Sequence, residues 1–164
     1  MTQEIDIEKY HQLALQKQKE HRKVLANLKK KPPKNLDKIA QEIHDEVFQE
    51  IDCTACANCC KTLGPDFKEA DITRIAKYFK MKLPAFEAEF LQVDEDGDKV
   101  FKSMPCPFLG GDNLCSIYDV RPKACREFPH TDRKKIYQIN HLTIKNNLTC
   151  PAAYLFVEKL KDRL

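Results

Sequence analysis

The sequence predicts an α+β fold, mostly α: a small helical domain with one or two short β-hairpins, built around cysteine-ligated metal sites. Three observations carry that expectation. Residues 4–29, 36–47 and 150–163 have helix-forming composition or apolar residues at helical spacing. Two glycine turns, Asp96-Gly97 and Gly110-Gly111, lie between short apolar runs. Half of the eight cysteines fall within the run Cys53–Cys60.

The elements follow in order. Residues 4–29 read as a helix, but the polar run Gln16–Lys23 exceeds two turns, so its middle is expected to face water all round. Pro32-Pro33 ends it, because proline lacks a donor and restricts the residue before it. Asn35 is the expected cap of a second helix, in which Leu36, Ile39, Ala40, Ile43 and Val47 share one face. Gly64-Pro65 marks a turn. A third helix over 68–80 aligns Ile72, Ile75, Ala76 and Phe79, and a fourth starts at Leu83-Pro84 and carries Phe86, Phe90 and Leu91.

Asp96-Gly97 then joins Gln92-Val93 to Val100-Phe101 as a hairpin. A second hairpin is expected to pair Pro107–Leu109 with Leu114–Tyr118. Asp119–Arg126 reads as a short helix with Pro122 near its first turn, and Pro151 takes the favoured first position of the last helix. The expected division is an N-terminal helical extension, 1–50, and a cysteine-cluster metal-binding domain, 51–164.

Composition narrows the function. Hydrophobic residues make up 42% and charged residues 32% of 164, with no apolar run long enough to span a membrane. The polar, acidic start lacks the basic and apolar parts of a secretory signal, so a cytoplasmic location is expected. In reducing cytosol, densely spaced cysteines point to metal or catalysis rather than disulfides. Residues 17–38 hold nine basic groups against two acids, yet no aromatic residue stands among them. A solvated helix face is the expectation there, and a nucleic-acid partner is not, while a protein partner stays open. The four glycines form no GxGxxG or GxxxxGK[ST], which argues against a dinucleotide or P-loop site. Asp94–Asp98 lacks the ligand spacing of a calcium loop.

The chemistry lies in the thiols. Cys53-x2-Cys56-x2-Cys59 delivers three soft donors from one short stretch, as ferredoxin-type sequences do before a distant Cys-Pro. Two remote Cys-Pro pairs, Cys106-Pro107 and Cys150-Pro151, are available, together with Cys115 and Cys125. Cys60 directly follows Cys59, and consecutive side chains diverge, so the two are not expected to share one tetrahedral zinc. They reach either different irons of one cluster or two neighbouring sites. An iron–sulfur cluster is preferred over Zn2+, with eight thiolates equalling two four-ligand sites.

Cys150 sits at an expected helix start, where the dipole favours a thiolate. Residues 121–135 carry six basic groups against two acids, and Arg121 and Arg126 are the expected donors to cluster sulfur, Arg126 first. His130, five residues after Cys125, makes a mixed Cys/His site conceivable, but eight cysteines already suffice.

Taken in order, Cys-x2-Cys-x2-Cys-Cys, Pro105-Cys106-Pro107-Phe108-Leu109, Cys115-Ser116-Ile117-Tyr118, Arg121-Pro122-x2-Cys125-Arg126-x-Phe128-Pro129 and Cys150-Pro151 resemble the YkgJ-like cysteine-cluster family. The resemblance spans about residues 52–155. It implies zinc or iron chelation through all eight cysteines, Cys53, Cys56, Cys59, Cys60, Cys106, Cys115, Cys125 and Cys150. Through a branch of that family related to flagellin lysine N-methylases, it also implies an alternative: a protein-modifying, lysine methylase-like enzyme. A zinc-stabilised interaction module is the third reading.

Overall fold

The computed structural model describes residues 4–164. In chain order its helices are α1 (Ile7–Lys30), α2 (Leu36–Glu50), α3 (Cys53–Cys56), α4 (Asn58–Thr62), α5 (Glu69–Tyr78), α6 (Leu83–Phe90), α7 (Lys123–Glu127), α8 (Asn140–Asn147) and α9 (Pro151–Arg163). The strands are β1 (Asp66–Phe67), β2 (Leu91–Val93) and β3 (Lys99–Phe101). The fold is therefore α+β and mostly α, as expected. The chain groups into two compact units, one formed by the described residues up to Cys56 with Pro129–Leu164, the other by Ala57–Phe128. The helices α1 and α2 thus share a unit with the C-terminal helix.

In the first unit, α1 starts where Asp6 Oδ1 accepts from Lys9 N–H at 3.0 Å and stops before Pro32. The α2 stripe Leu36, Ala40, Ile43 and Val47 is buried, as its spacing predicts. It packs with Leu25 and Leu28 of α1, and with Ala152, Phe156, Val157 and Leu160 of α9. Asn35 precedes α2 without a side-chain cap bond.

The polar middle of α1 does not face water all round. His21 is fully enclosed, with Nε2 2.6 Å from Glu158 Oε1. With the Asn147 amide oxygen turned to the ring, it accepts from His21 Nδ1 at 3.2 Å while the nitrogen donates to Thr143 and Ala153 carbonyls, both at 3.0 Å. Lys17 and Lys161 each donate to Glu158 Oε2 at 3.2 Å. Hydropathy patterning missed this because a buried polar residue is stable only when a distant partner satisfies it.

Burial pushes the Glu158 carboxyl up, but the bonds from His21, Lys161 and Lys17 outweigh it and hold it down at about 2, against an ordinary 4.5. A carboxyl lowered by folding contributes stability that is fully present above pH 4.5 and lost as pH falls towards 2. The carboxylate side chain is only 20% exposed, so the contribution is on the order of 3 kcal/mol. Glu158→Gln is expected to flatten the loss of stability over that acid range. An unchanged acid-unfolding curve in urea titrations at successive pH values would overturn the assignment.

In the second unit the sheet runs β1-β3-β2, all antiparallel, with Leu91 opposite Phe101 and Phe67 opposite Lys99. The β2–β3 hairpin is the expected one. Gly97 sits at φ +83°, and Asp94 Oδ1 accepts from Asp96 and Asp98 N–H at 3.0 and 2.9 Å. The core gathers Phe67, Ile72, Ile75, Ala76, Phe86, Leu91, Phe101, Phe108 and Ile117. Phe108 is its hub, with the rings of Phe90, Phe79, Phe101 and Phe86 centred 5.0, 5.2, 5.7 and 6.5 Å away. Phe79 lies just past the end of α5, 36% exposed, and stacks on Phe108 rather than completing the helix face.

Two other local expectations are corrected. The second hairpin shrinks to a single antiparallel bridge, Leu109 to Cys115. Asp119–Arg126 is not one helix: Tyr118–Val120 forms a 3-10 turn, and Pro122, which has no N–H, separates it from α7. Between α3 and α4 the run of cysteines is broken by Ala57, buried and left-handed at φ +48°, ψ +16°. Such a conformation costs a non-glycine residue about 1–3 kcal/mol, and most for a β-branched one. Ala57→Val is therefore expected to lose about 1–3 kcal/mol in urea unfolding, while Ala57→Gly stays within about 1 kcal/mol. Equal losses for the two would show that volume, not backbone, decides this position.

Candidate metal centre

The two units divide the cysteines. Cys59, Cys60, Cys106, Cys115 and Cys125 belong to Ala57–Phe128, and Cys53, Cys56 and Cys150 to the other unit.

In the Ala57–Phe128 unit the thiols are brought together by backbone bonding. Cys106 N–H donates to the Cys60 carbonyl at 2.8 Å, which ties the Pro105-Cys106-Pro107 stretch to α4. From Cys106 the chain turns, with Leu109 N–H bonding back to the Cys106 carbonyl at 3.1 Å. Gly110 N–H then donates to the Leu114 carbonyl at 2.8 Å, and the Leu109–Cys115 bridge brings Cys115 alongside. Ser116 bonds the Phe108 carbonyl through both its N–H and its hydroxyl, each at 2.9 Å. Cys106 and Cys115 both pack against the Phe108 core, and Cys125 stands in α7.

The electrostatics show that these thiols are neighbours. Burial pushes Cys106 up to about 11 and Cys125 up to about 12, and it raises Cys115 as well. The charge of Cys60 raises all three further, and Cys106 and Cys115 add to the rise at Cys125. Cys60 differs: a hydrogen bond from the Cys59 thiol outweighs burial and brings it down to about 7. Arg121 opposes the rise at Cys115 and Cys125. Its guanidinium donates to the Tyr118 carbonyl at 2.6 Å and lies 3.9 Å over the Tyr118 ring. Arg121 is thus a cation beside Cys115 and Cys125, and Arg126 follows Cys125 directly on α7.

In the first unit Cys53 and Cys56 bracket α3. Asp52 opens that helix: its Oδ1 accepts from Thr54 N–H at 2.8 Å and Thr54 Oγ1 at 2.6 Å. Cys150 occupies the N-cap of α9, its N–H bonded to the Asn146 carbonyl at 2.8 Å. At this helix start burial opposes the dipole. Burial, opposed by the Ala153 and Ala152 N–H groups, carries Cys150 up to about 12, and Cys53 and Cys56 add to the rise. Desolvation beats the helix terminus because the thiol is packed against the Leu25–Phe156 core. His130 lies at φ +64° in the unit of Cys53, Cys56 and Cys150.

Among the described residues no three Cys, His, Asp or Glu side chains are gathered into a metal-ligand group. By donor type the set fits a soft cation, since buried thiolates that raise one another need a counter-charge.

One pair escaped the sequence reading. Asp71 and Arg74 of α5 bond the backbone of Val120–Lys123, the segment leading into Cys125. No local signal marks them, because they and their partners lie 46 to 52 residues apart in the chain.

Each unit carries cysteines, six of the eight half-buried, Cys56 buried and Cys53 exposed, which makes this a thiol-rich chain. The model of the CxxCxxCC family, described as "Putative zinc- or iron-chelating domain", matches residues 52–151. The chain belongs to that family, whose description points to zinc or iron chelation. Comparison with curated proteins and with solved structures gives no match. No described helix is long and apolar enough to cross a membrane.

Proposed function

We propose that the chain is a cytoplasmic metal-binding protein that holds an iron–sulfur cluster, or failing that Zn2+, through its eight cysteines. In the Ala57–Phe128 unit the ligands are drawn from Cys59, Cys60, Cys106, Cys115 and Cys125; in the other unit they are Cys53, Cys56 and Cys150. The observations that carry this reading are the family match over residues 52–151 and the backbone bonds that tie Cys106 to Cys60 and bring Cys115 alongside. Four thiols from four separate chain segments share one neighbourhood, and a bound metal supplies the charge that lets them ionise there. Arg121, and Arg126 after it, offset the remaining negative charge beside Cys115 and Cys125. The preference for iron–sulfur rests on the two Cys-Pro pairs, Cys106-Pro107 in one unit and Cys150-Pro151 in the other.

Anaerobic purification followed by visible absorption and by analysis for iron, sulfide and zinc tests the proposal. A brown protein with iron and sulfide in equal amounts supports the cluster. A colourless protein with bound zinc overturns the cluster and keeps the metal. A folded protein that takes up neither metal overturns the reading.

A further inference from the structure

We infer that Asp71 and Arg74 are positioning residues of the Ala57–Phe128 metal centre, clamping the backbone of Val120–Lys123 from α5. This inference rests on the metal-binding reading of the same thiols. Asp71 is 2% exposed, and a carboxylate is not buried to that degree without partners. Its Oδ1 accepts from Arg74 Nη2 at 2.8 Å and from Lys123 N–H at 3.1 Å, and its Oδ2 accepts from Lys68 N–H at 3.0 Å. Arg74 in turn donates through Nε to the Val120 carbonyl at 3.2 Å and through Nη2 to the Arg121 carbonyl at 2.9 Å.

Three backbone groups within four residues are therefore held by one ion pair. Each bond answers a local deficit. Lys123 N–H opens α7 and has no intrahelical acceptor, and Pro122 beside it has no N–H at all. The Val120 and Arg121 carbonyls lie where the 3-10 turn gives way to α7, outside both ladders. A planar guanidinium reaches two adjacent carbonyls with separate N–H groups, which an ammonium on a flexible stem does not do in fixed geometry.

The clamped residues are those the centre depends on. Arg121 supplies the cation that acts on Cys115 and Cys125, and Cys125 follows Lys123 by two residues on the same short helix. Neither Asp71 nor Arg74 contacts a metal in this scheme. They fix where Arg121 and Cys125 stand, as groups that hold metal ligands commonly do.

The test is a Co2+ titration of the reduced full-length chain, comparing wild type with Arg74→Lys and Asp71→Asn. Both variants are expected to bind Co2+ about 10–100-fold more weakly and to show weaker thiolate-to-cobalt absorption. Metal-free Arg74→Lys is expected to keep the wild-type circular dichroism, with faster amide exchange over residues 120–125. A role confined to holding the fold would lower the melting temperature and leave Co2+ affinity untouched, which overturns the inference. If Asp71→Asn fails to fold, Arg74→Lys decides alone: wild-type affinity and absorption in that variant overturn the clamp. A wild-type chain without any cobalt–thiolate absorption overturns the metal reading itself, a result distinct from the other two.

Discussion

Serine at position 125 is expected to strip the Ala57–Phe128 unit of its metal. Cys125 is the thiol on which the others converge: Cys60, Cys106 and Cys115 all act on it, and burial holds its proton most firmly within that unit, at about 12. A serine hydroxyl fills nearly the same volume but is a hard, weakly acidic donor that soft metals and iron–sulfur clusters do not accept in place of a thiolate. Losing a ligand outright exceeds the roughly 10–100-fold effect of losing a group that orients one. Metal retained per chain after a chelator challenge should fall by more than about 100-fold in affinity. Lys123→Ala, whose side chain is exposed on the same helix, should retain metal as wild type does. Full retention by Cys125→Ser would remove Cys125 from the ligand set.

The second large effect belongs to Phe108. Its ring is 7% exposed and meets four other phenylalanines, so Phe108→Ala leaves a cavity bordered by Phe79, Phe86, Phe90 and Phe101. Emptying such a site costs about 3–5 kcal/mol, a large share of the ~5–15 kcal/mol that holds a domain folded. Phe108→Leu, which keeps much of the volume, should lose clearly less. The ring lies two residues past Cys106, and its carbonyl anchors Ser116 beside Cys115, so the loss is expected to loosen both thiols. Urea midpoints for the two variants check the order. A loss below about 1 kcal/mol for alanine would mean that the aromatic cluster closes over the gap.

Periodicity and breakers made much of the fold legible. The α2 stripe, the Ile72–Ala76 face, the Asp96-Gly97 hairpin and Pro151 at the head of α9 all follow from residue type and local spacing. What escaped has a common cause. Helix α8 buries Thr143, Asn146 and Asn147 alongside Ile144, so no apolar stripe announces it. His21 is buried because Glu158 waits 137 residues away. Strand β1 is two residues long and exists by pairing with β3. At the site, thiol chemistry was visible residue by residue, but the division of the cysteines was not. The break falls at Ala57, whose left-handed backbone no propensity for alanine foretells.

The first unit carries a practical consequence for how this family is delimited. Residues 52–151 contain every cysteine, and by their cysteines they define the family match. Yet the hydrophobic cluster against which Cys150 packs includes Leu25, Ile43, Val47, Phe156 and Leu160, all outside that stretch. A fragment cut at the match borders would keep the thiols and discard the hydrophobic surface against which Cys150 rests. The stretch of chain that carries the signature is thus shorter than the stretch that must fold to present it.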